Sequence, residues 1–434
     1  MLTWKATRRV EAGVLVVRIL VDQSGYDLLN IGDVAMLQSC VARLRLQWPD
    51  AEIMVIAHQP RQLALYCPGT IAIGPTFADQ RILRFLPRRI RLAAEQAWKM
   101  VAPYFSARIW HRHRPSRPRT AVQAVRTADL VVASGGAYLT DTWWWHAAGV
   151  LSLFSLAQRL GKPTAMFGQG IGPIRQRALR AQARAVMPKL AVLGLRESRT
   201  GQPLALSLGA TPGAVRLTGD DAFELSDSPS VAHGYALGVC LRVSGYAGVS
   251  PAMAVAVGGL VLDAGAELQA PIVGLPVSRY AADADVGALR TLSNQKHARV
   301  GIALHDIVFP ESLGLAAARC RAIVTGSYHA AVFGLALGVP AVCLTKSPYY
   351  DAKFSGLEAL FPRACFVVSL ASPDWASCLH AGILEAWHLP TPARVAARGT
   401  AWRLREAGRE AYGQFRTAVE GPRRSVSAVK GVIT

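Results

Sequence analysis

The stretch "RAIVTGSYHAAVFGLALGVPAVCL", residues 321–344, decides the fold because it reads as a strand, a helix and a second strand. Ile323–Thr325 and Ala341–Leu344 are short apolar runs, and the helical segment Tyr328–Leu337 between them is apolar on all sides. A helix without a polar face is buried, and strands joined by such a helix pair in parallel. His329 lies in the first turn of this helix, where it either packs in the core or meets a ligand.

The same alternation of short apolar runs and longer amphipathic segments extends over most of the chain and restarts after Gly213. It is typical of βα units around parallel sheets. The predicted fold class is therefore α/β, with two Rossmann-like, doubly wound domains that face a central cleft. The predicted strands are Val14–Leu20, Ile53–Ala57, Leu130–Ala133, Thr164–Phe167 and Ala191–Leu195, followed by Ala236–Leu241, Pro271–Leu275, Ile323–Thr325, Ala341–Leu344 and Phe366–Ser369.

The hinge between the two domains is predicted within residues 208–235, which are rich in Gly, Pro, Ser and Asp. A final helix is expected to pack back across both domains, and the tail after it reads as disordered. The predicted units are an N-terminal domain at 1–215 with a basic helical insertion near 80–120, a C-terminal domain at 216–390, the helix at 391–419 and the tail at 420–434.

The composition narrows the functional class. The seven cysteines are scattered without a C-x-x-C spacing, so we expect reduced thiols and no metal site. No run of about 18 uncharged apolar residues is present, and nothing near the N terminus reads as an export signal. The sequence therefore predicts a soluble, cytoplasmic protein.

The net charge of +20 is concentrated in residues 81–120, where eleven Lys or Arg residues accompany Glu95 alone. Two interpretations stay open for this segment. In the first, the segment forms interfacial helices whose arginines contact the anionic lipids at the inner face of the cell membrane. In the second, it is a solvated basic insertion. Nucleic acid is not predicted as a partner, because no recognition module accompanies the charge.

Polar and glycine-rich segments follow the predicted strands of the first domain, at the sheet edge where ligands of open parallel sheets bind. "NIGD" opens a helix and is either a capped helix start or a ligand contact. The later glycines let backbone N–H groups face an anion, and a strand-end arginine grips a carboxylate or phosphate unless it pairs with Glu197 or Glu224. The candidate binding residues are Asn30, Gly32, Asp33, Ser134, Gly135, Gly136, Gln169, Gly170, Arg196 and Arg199.

The second domain repeats this arrangement, because Arg242 ends its first strand. A helix N-terminus lowers the basicity of an imidazole and a bound anion raises it, so His329 suits a general acid that gains its proton with the substrate. Asp220 and Asp221 are adjacent in the sequence, so their side chains are expected to point in different directions. This argues against a pair of carboxylates that bind one metal ion. The candidates in this domain are Arg242, Ser327, Tyr328, His329, Tyr350 and Lys353.

In their order along the chain, these motifs resemble the polysaccharide pyruvyl transferase family. The matching segments are "NIGD" (30–33), "SGG" (134–136), "GQGIGP" (168–173), "RESRT" (196–200), "GDDAF" (219–223), "SYHAAVFGLALGVPAVCL" (327–344) and "YYDAKFSGL" (349–357). The resemblance implies a fold similar to the glycosyltransferase-B arrangement, phosphoenolpyruvate as co-substrate without a cofactor, and a glycan or lipid-linked saccharide as acceptor. It also implies that Arg196 holds the donor's anionic groups and that His329 is the catalytic acid in forming a pyruvate ketal.

The chain departs from the family pattern at Ser327, where many members carry Arg. Either Arg242, Arg199 or Lys353 supplies the missing charge, or the donor differs. Two alternative functions follow from the same features: a nucleotide-sugar-dependent glycosyltransferase of the two-domain type, and a non-catalytic, membrane-associated family member.

Overall fold

The structure, a computed structural model, describes residues 10–11, 14–75, 119–225, 234–281, 285–293 and 307–421. These residues form two parallel β-sheets with helices packed around them. Neighbouring residues of one strand enter different cores: Ile19 and Val21 face one apolar cluster and Leu20 faces another. Both faces of the first sheet are therefore covered, as in a doubly wound domain.

Among the described residues, eight strands form the first sheet, in the order β3-β2-β1-β4-β6-β7-β8 with β5 beside β6, and every pairing is parallel. The strands are β1 (Arg18–Asp22), β2 (Glu52–Ile56), β3 (Ile71–Ile73), β4 (Leu130–Ala133), β5 (Gly136–Leu139), β6 (Thr164–Ile171), β7 (Val192–Leu195) and β8 (Val215–Leu217). The helices are α1 (Ile31–Gln47), α2 (Pro60–Tyr66), α3 (Ala121–Thr127), α4 (Trp144–Arg159), α5 (Arg177–Val186) and α6 (Gly201–Ser207). The strand order reverses between β1 and β4, which opens a crevice at their carboxyl ends.

The second sheet has five parallel strands in the described residues, in the order β10-β9-β11-β12-β13. They are β9 (Ala236–Cys240), β10 (Ile272–Gly274), β11 (Cys320–Thr325), β12 (Ala341–Thr345) and β13 (Cys365–Ser369). The helices are α7 (Pro251–Glu267), α8 (Asp285–Ser293), α9 (Pro310–Ala318), α10 (Tyr328–Ala336), α11 (Pro348–Leu360), α12 (Trp375–Trp387) and α13 (Thr391–Glu420).

The two parallel sheets confirm the predicted fold class, and most strands lie where the sequence placed them. The first predicted strand divides instead, because Val14–Leu15 pairs with Val10–Glu11 in an antiparallel ribbon and the sheet strand is β1. Three short strands, β3, β5 and β8, were not predicted, since runs of three or four residues carry too little periodicity. Strand β6 continues through Gly168 and Gly170, which the sequence placed in a loop.

The long helix α13 contacts α1, α10 and three strands of the first sheet. The ring of Tyr412 stacks on Phe167 of β6, with 3.7 Å between the ring centroids. The helix runs through Glu420, which the sequence placed in the tail, because Trp48 Nε1 and Arg416 Nε bind its carboxylate at 2.7 and 2.9 Å. Residues 422–434 lie outside the described residues, as do 81–118 of the basic segment and 226–233 of the hinge.

A buried ionic cluster joins α1, α13 and the segment after β8. Arg43 of α1 binds Asp221 at 2.6 Å and Glu224 at 2.8 Å, and Arg409 of α13 also contacts Glu224. Removing one partner of such a buried pair leaves an uncompensated charge, which costs about 3–5 kcal/mol. This cluster therefore fixes the chain between the two sheets. In the ranges given above, none of the helices is both long and apolar enough to cross a bilayer.

Candidate active site

A cavity of about 580 Å³ lies where the carboxyl ends of both sheets meet. Its volume is in the range of ligand sites, and its position is the one expected for two facing Rossmann-like domains. Nine of the residues predicted as site residues line it: Asn30, Asp33, Arg196, Arg242, Ser327, Tyr328, His329, Tyr350 and Lys353.

The start of α1 forms one wall and lies directly against His329. Asn30 caps the helix, because its side-chain oxygen accepts hydrogen bonds from the backbone N–H groups of Gly32 and Asp33 at 3.0 and 3.2 Å. Gly32 does not line the cavity, but a Cβ atom there would lie 2.0 Å from Cγ of His329. Glycine at this position therefore lets the imidazole rest on the helix backbone.

His329 begins α10 and is 6% exposed. Its Nε2 atom has no hydrogen-bond partner among the described residues and lies 3.7 Å from Oδ2 of Asp220. Burial, together with the nearby cations Arg196, Lys353 and Arg242, lowers the pKa of His329 well below its usual value of 6.5. The imidazole is therefore neutral at pH 7, and an anion bound beside it would favour protonation.

Arg196 extends from the end of β7 and is 2% exposed. Its Nε atom donates to the carbonyl oxygen of Gly168 at 2.8 Å and lies 3.0 Å from Asp220 Oδ2, while the guanidinium covers the ring of Tyr328 at 5.2 Å. Burial disfavours the charge, but attraction to Asp220, Tyr328 and Asp33 together outweighs it and raises the pKa of Arg196. Its Nη1 atom has no partner within the described ranges, so it is available to an anionic ligand.

Lys353 of α11 is half-buried among aromatic rings. Its Nζ atom donates to the hydroxyl of Tyr349 at 3.0 Å and lies 4.5 to 5.5 Å from the ring centroids of Tyr328, Tyr349 and Tyr350. Burial, with repulsion from Arg196, lowers the pKa of Lys353 to about 7 despite attraction to Asp33. Burial likewise raises the pKa of Asp33 to about 6, although Arg196 and Lys353 oppose this rise. Both groups therefore change charge near neutral pH.

Arg242 is held at the end of β9 by a partner that the sequence did not indicate. Both oxygens of Asp285 bind its guanidinium, at 2.7 and 3.0 Å, and the hydroxyl of Tyr246 accepts a hydrogen bond at 2.9 Å. Ser327 lies 3.4 Å from Nη2 of the same guanidinium. The charge of Arg242 is thus offset inside the protein, and the side chain orients the loop that carries Ser327.

The remaining predicted residues lie behind or outside the cavity. Gln169 donates to the carbonyl oxygen of Ser134 at 2.7 Å in the buried layer beneath Arg196. Side chains at Gly135 and Gly136 would clash with Met36 at 2.5 Å and with Tyr138 at 2.2 Å, so these glycines serve close packing. Gly170 lines a narrow side pocket together with Lys353, and Arg199 is exposed. Glu197 and Glu224 do not pair with Arg196.

The sequence analysis missed most of the aromatic lining. The strongest overlooked signal is "DTWWWH" at residues 141–146, where three successive tryptophans follow a strand end. None of the described His, Cys, Asp or Glu residues cluster in groups of three that would suit a metal ion. Tyr349, which lies in the predicted segment "YYDAKFSGL", also lines the cavity. The lining residues outside the prediction are Ser24, Gly25, Tyr26, Asp27, His58, Ala137, Tyr138, Trp143, Trp145, His146, Ser244, Gly245, Tyr246 and Tyr280.

A family profile described as polysaccharide pyruvyl transferase matches residues 30–348, which include Asn30, Arg196 and His329 and end at the start of α11. The chain belongs to the polysaccharide pyruvyl transferase family. This match confirms the resemblance read from the motifs. The chain therefore belongs to a family of transferases. No curated protein matches the chain in a sequence comparison.

The fold of this pyruvyl transferase family member is similar to glycosyltransferases of the GT-B type. Anabaena Alr3699/HepE in complex with UDP-glucose is 14% identical, with 91% of this chain and 98% of that chain covered and a TM-score of 0.52. A glycosyltransferase from Rickettsia africae is 12% identical over 93% and 98% of the chains, with a TM-score of 0.53. The UDP-GlcNAc 2-epimerase of Methanocaldococcus jannaschii is 11% identical over 86% and 93%, also at 0.53. At these identities the likeness concerns the fold alone.

Proposed function

We propose that this protein transfers a pyruvyl group from phosphoenolpyruvate to two hydroxyls of a sugar, in a cell-surface polysaccharide or its lipid-linked precursor. The observation that carries the proposal is the convergence of Arg196, Lys353 and His329 at one end of the cavity. Arg196 Nη1 and His329 Nε2 are buried polar atoms without hydrogen-bond partners among the described residues. A small, highly charged anion would satisfy both, which is the chemistry of this donor.

The donor's charges suit these three groups. The guanidinium of Arg196 would bind a carboxylate or phosphate in a fork, and the ammonium of Lys353 would act as a mobile point charge beside it. Bringing several negative charges next to His329 reverses the electrostatic balance that keeps its imidazole neutral. We infer that His329 takes up its proton when the donor binds.

In the proposed reaction the imidazolium of His329 gives its proton to the methylene carbon of the enol. The central carbon becomes oxocarbenium-like and the first acceptor hydroxyl attacks it, returning a proton to the imidazole. A second hydroxyl then displaces phosphate, which leaves carrying that hydroxyl's proton. One acceptor proton thus ends in the new methyl group and the other on phosphate. Asp33, whose pKa is raised to about 6, is a carboxylate at pH 7 and would accept hydrogen bonds from the acceptor.

The direct test is incubation of the purified protein with phosphoenolpyruvate and a pool of saccharide acceptors. We expect release of phosphate that requires the acceptor, and a product heavier by one pyruvyl ketal in mass spectrometry. If the protein instead releases a nucleoside diphosphate from a sugar nucleotide and no phosphate from phosphoenolpyruvate, the result supports the glycosyltransferase alternative. Binding of neither donor would favour the non-catalytic alternative.

The activity should depend on the protonation of Lys353. Because its pKa is about 7 in the free protein, kcat/KM for phosphoenolpyruvate is expected to fall as pH rises through about 7, where the ammonium loses its charge. Proton uptake by His329 on donor binding causes a further decrease of kcat/KM with pH that the wild type and its variants share. Lys353→Arg keeps a positive charge throughout this range and should therefore remove only the additional decrease centred near pH 7. The measurement is kcat/KM from pH 5.5 to 9. The exposed Lys189→Arg is the matched control, and the same additional decrease in Lys353→Arg as in the wild type would count against the assignment.

We propose in addition that the protein works peripherally at the inner membrane face, through residues 81–120. This rests on the eleven basic residues of the segment. Replacing Arg88, Arg89 and Arg91 with glutamine removes attraction to anionic lipid worth about 1 kcal/mol for each charge. Less of the variant than of the wild type should therefore co-sediment with phosphatidylglycerol vesicles. This difference should shrink at high salt, where the attraction is screened. Equal sedimentation of the variant and the wild type would refute a lipid role.

A further inference from the structure

The cavity has two ends of different chemistry, and the hydroxyl of Tyr349 lies at their border. This hydroxyl accepts hydrogen bonds from Lys353 Nζ at 3.0 Å and from Trp143 Nε1 at 3.3 Å, and it donates to the carbonyl oxygen of Ala137 at 3.2 Å. The cationic cluster around Lys353 lies on one side. The tryptophans that follow β5 lie on the other side, so a ligand can contact both ends at once.

The tryptophan end is an aromatic wall built by both domains. Trp143 lies 5.5 Å from Trp145 and 5.2 Å from Tyr246, measured between ring centroids. Trp145 lines the cavity and yet remains 40% exposed. A large apolar side chain exposed inside a concave site marks a ligand contact, because burying it against a ligand lowers the free energy of the complex.

A polar edge accompanies this wall. Asp27 Oδ1 lies 2.9 Å from Nδ1 of His58, and both side chains are nearly half exposed at the cavity. The ring of Tyr26 lies 5.9 Å from that of His58 and 4.8 Å from that of His146, which follows Trp145 in the chain. The carboxylate and imidazole therefore present hydrogen-bonding atoms on the same side of the cavity as the tryptophans.

We infer that this aromatic end, built on Trp145 with the Asp27–His58 pair at its edge, is the subsite for a pyranose ring of the acceptor saccharide. A pyranose presents an apolar C–H face that packs on an indole ring. The hydroxyls around its rim donate hydrogen bonds to a carboxylate. The cavity of about 580 Å³ exceeds the needs of a three-carbon donor, which leaves room for this ring. That the bound saccharide is the acceptor rests on the proposed function. The saccharide site itself is defined by the aromatic wall and the polar edge.

The exposed Trp402 of α13 supplies a control. It is 56% exposed, compared with 40% for Trp145, and it does not line the cavity. Purified wild-type, Trp402→Ala and Trp145→Ala proteins are titrated by ligand-observed NMR with methyl glycosides of glucose, galactose, mannose and N-acetylglucosamine, without phosphoenolpyruvate. Sorbitol, which has no ring face, is the negative ligand. Thermal unfolding of each variant checks that it is folded.

We expect at least one glycoside to bind the wild type and Trp402→Ala equally, and to bind Trp145→Ala about fivefold to tenfold more weakly. Trp145→Phe should retain part of the affinity, and Asp27→Asn should weaken it. Absence of glycoside binding to the wild type, or equal weakening by Trp402→Ala and Trp145→Ala, would overturn the inference. Trp145-dependent glycoside binding by a protein that releases no phosphate from phosphoenolpyruvate would support the subsite and reject the proposed reaction.

Discussion

His329→Ala is expected to lower kcat by about a thousandfold, because proton transfer by a positioned side chain contributes roughly that factor. The imidazole is buried and neutral in the free protein, and its Nε2 atom has no hydrogen-bond partner among the residues described. An unpaired ring nitrogen at the cavity can take a ligand atom as its hydrogen-bond partner. The rate of phosphate release from phosphoenolpyruvate in the presence of acceptor measures the effect.

Two comparisons separate catalysis by His329 from packing. His380→Ala removes an exposed imidazole, 2.7 Å from Glu267 and outside the cavity, and should leave kcat unchanged. Gly32→Ala keeps His329 but forces it to move, since a Cβ atom would lie 2.0 Å from its Cγ. Misplacing a catalytic group by about 1 Å costs up to about a hundredfold in rate. If both His329→Ala and Gly32→Ala are folded and fully active, His329 is a packing residue.

The sequence predicted the fold and the positions of the main cavity residues because these depend on local patterns. Apolar runs indicate the strands, and Asn30 at a helix start indicates a cap. The carboxyl ends of parallel strands meet at one edge, so Arg196 and His329 could be expected to converge. None of this requires knowledge of which side chains from distant segments touch.

The partners of these residues could not be predicted, because they are set by loops that meet only in the folded chain. Arg196 pairs with Asp220 and not with Glu197 or Glu224, because Glu197 binds the backbone N–H groups of Thr200 and Gly201 at the start of α6. In the same way Asp285, which offsets the charge of Arg242, comes from a different crossover of the second sheet. The glycines after β4 were predicted to face an anion, but the packing of Met36 and Tyr138 explains their small size.

Arg196→Ala is expected to raise the KM for phosphoenolpyruvate by about tenfold to a hundredfold, with a smaller change in kcat. A hydrogen bond to a charged group contributes about 1.5–3 kcal/mol, and Nη1 of Arg196 is buried at the cationic end of the cavity without a protein partner in the described residues. Initial rates of phosphate release at varied donor concentration give both constants. Unaltered KM for the donor would contradict the role of Arg196.

The control for this prediction lies three residues further along the chain. Arg199→Ala removes an exposed arginine of the same motif that does not line the cavity, so the KM for the donor should change less than twofold. Because Arg196→Ala also leaves Asp220 buried without its cation, the double variant Arg196→Met and Asp220→Asn removes both charges and limits the loss of stability. If the double variant is folded and still shows the raised KM, the defect arises from donor binding and not from an unpaired carboxylate.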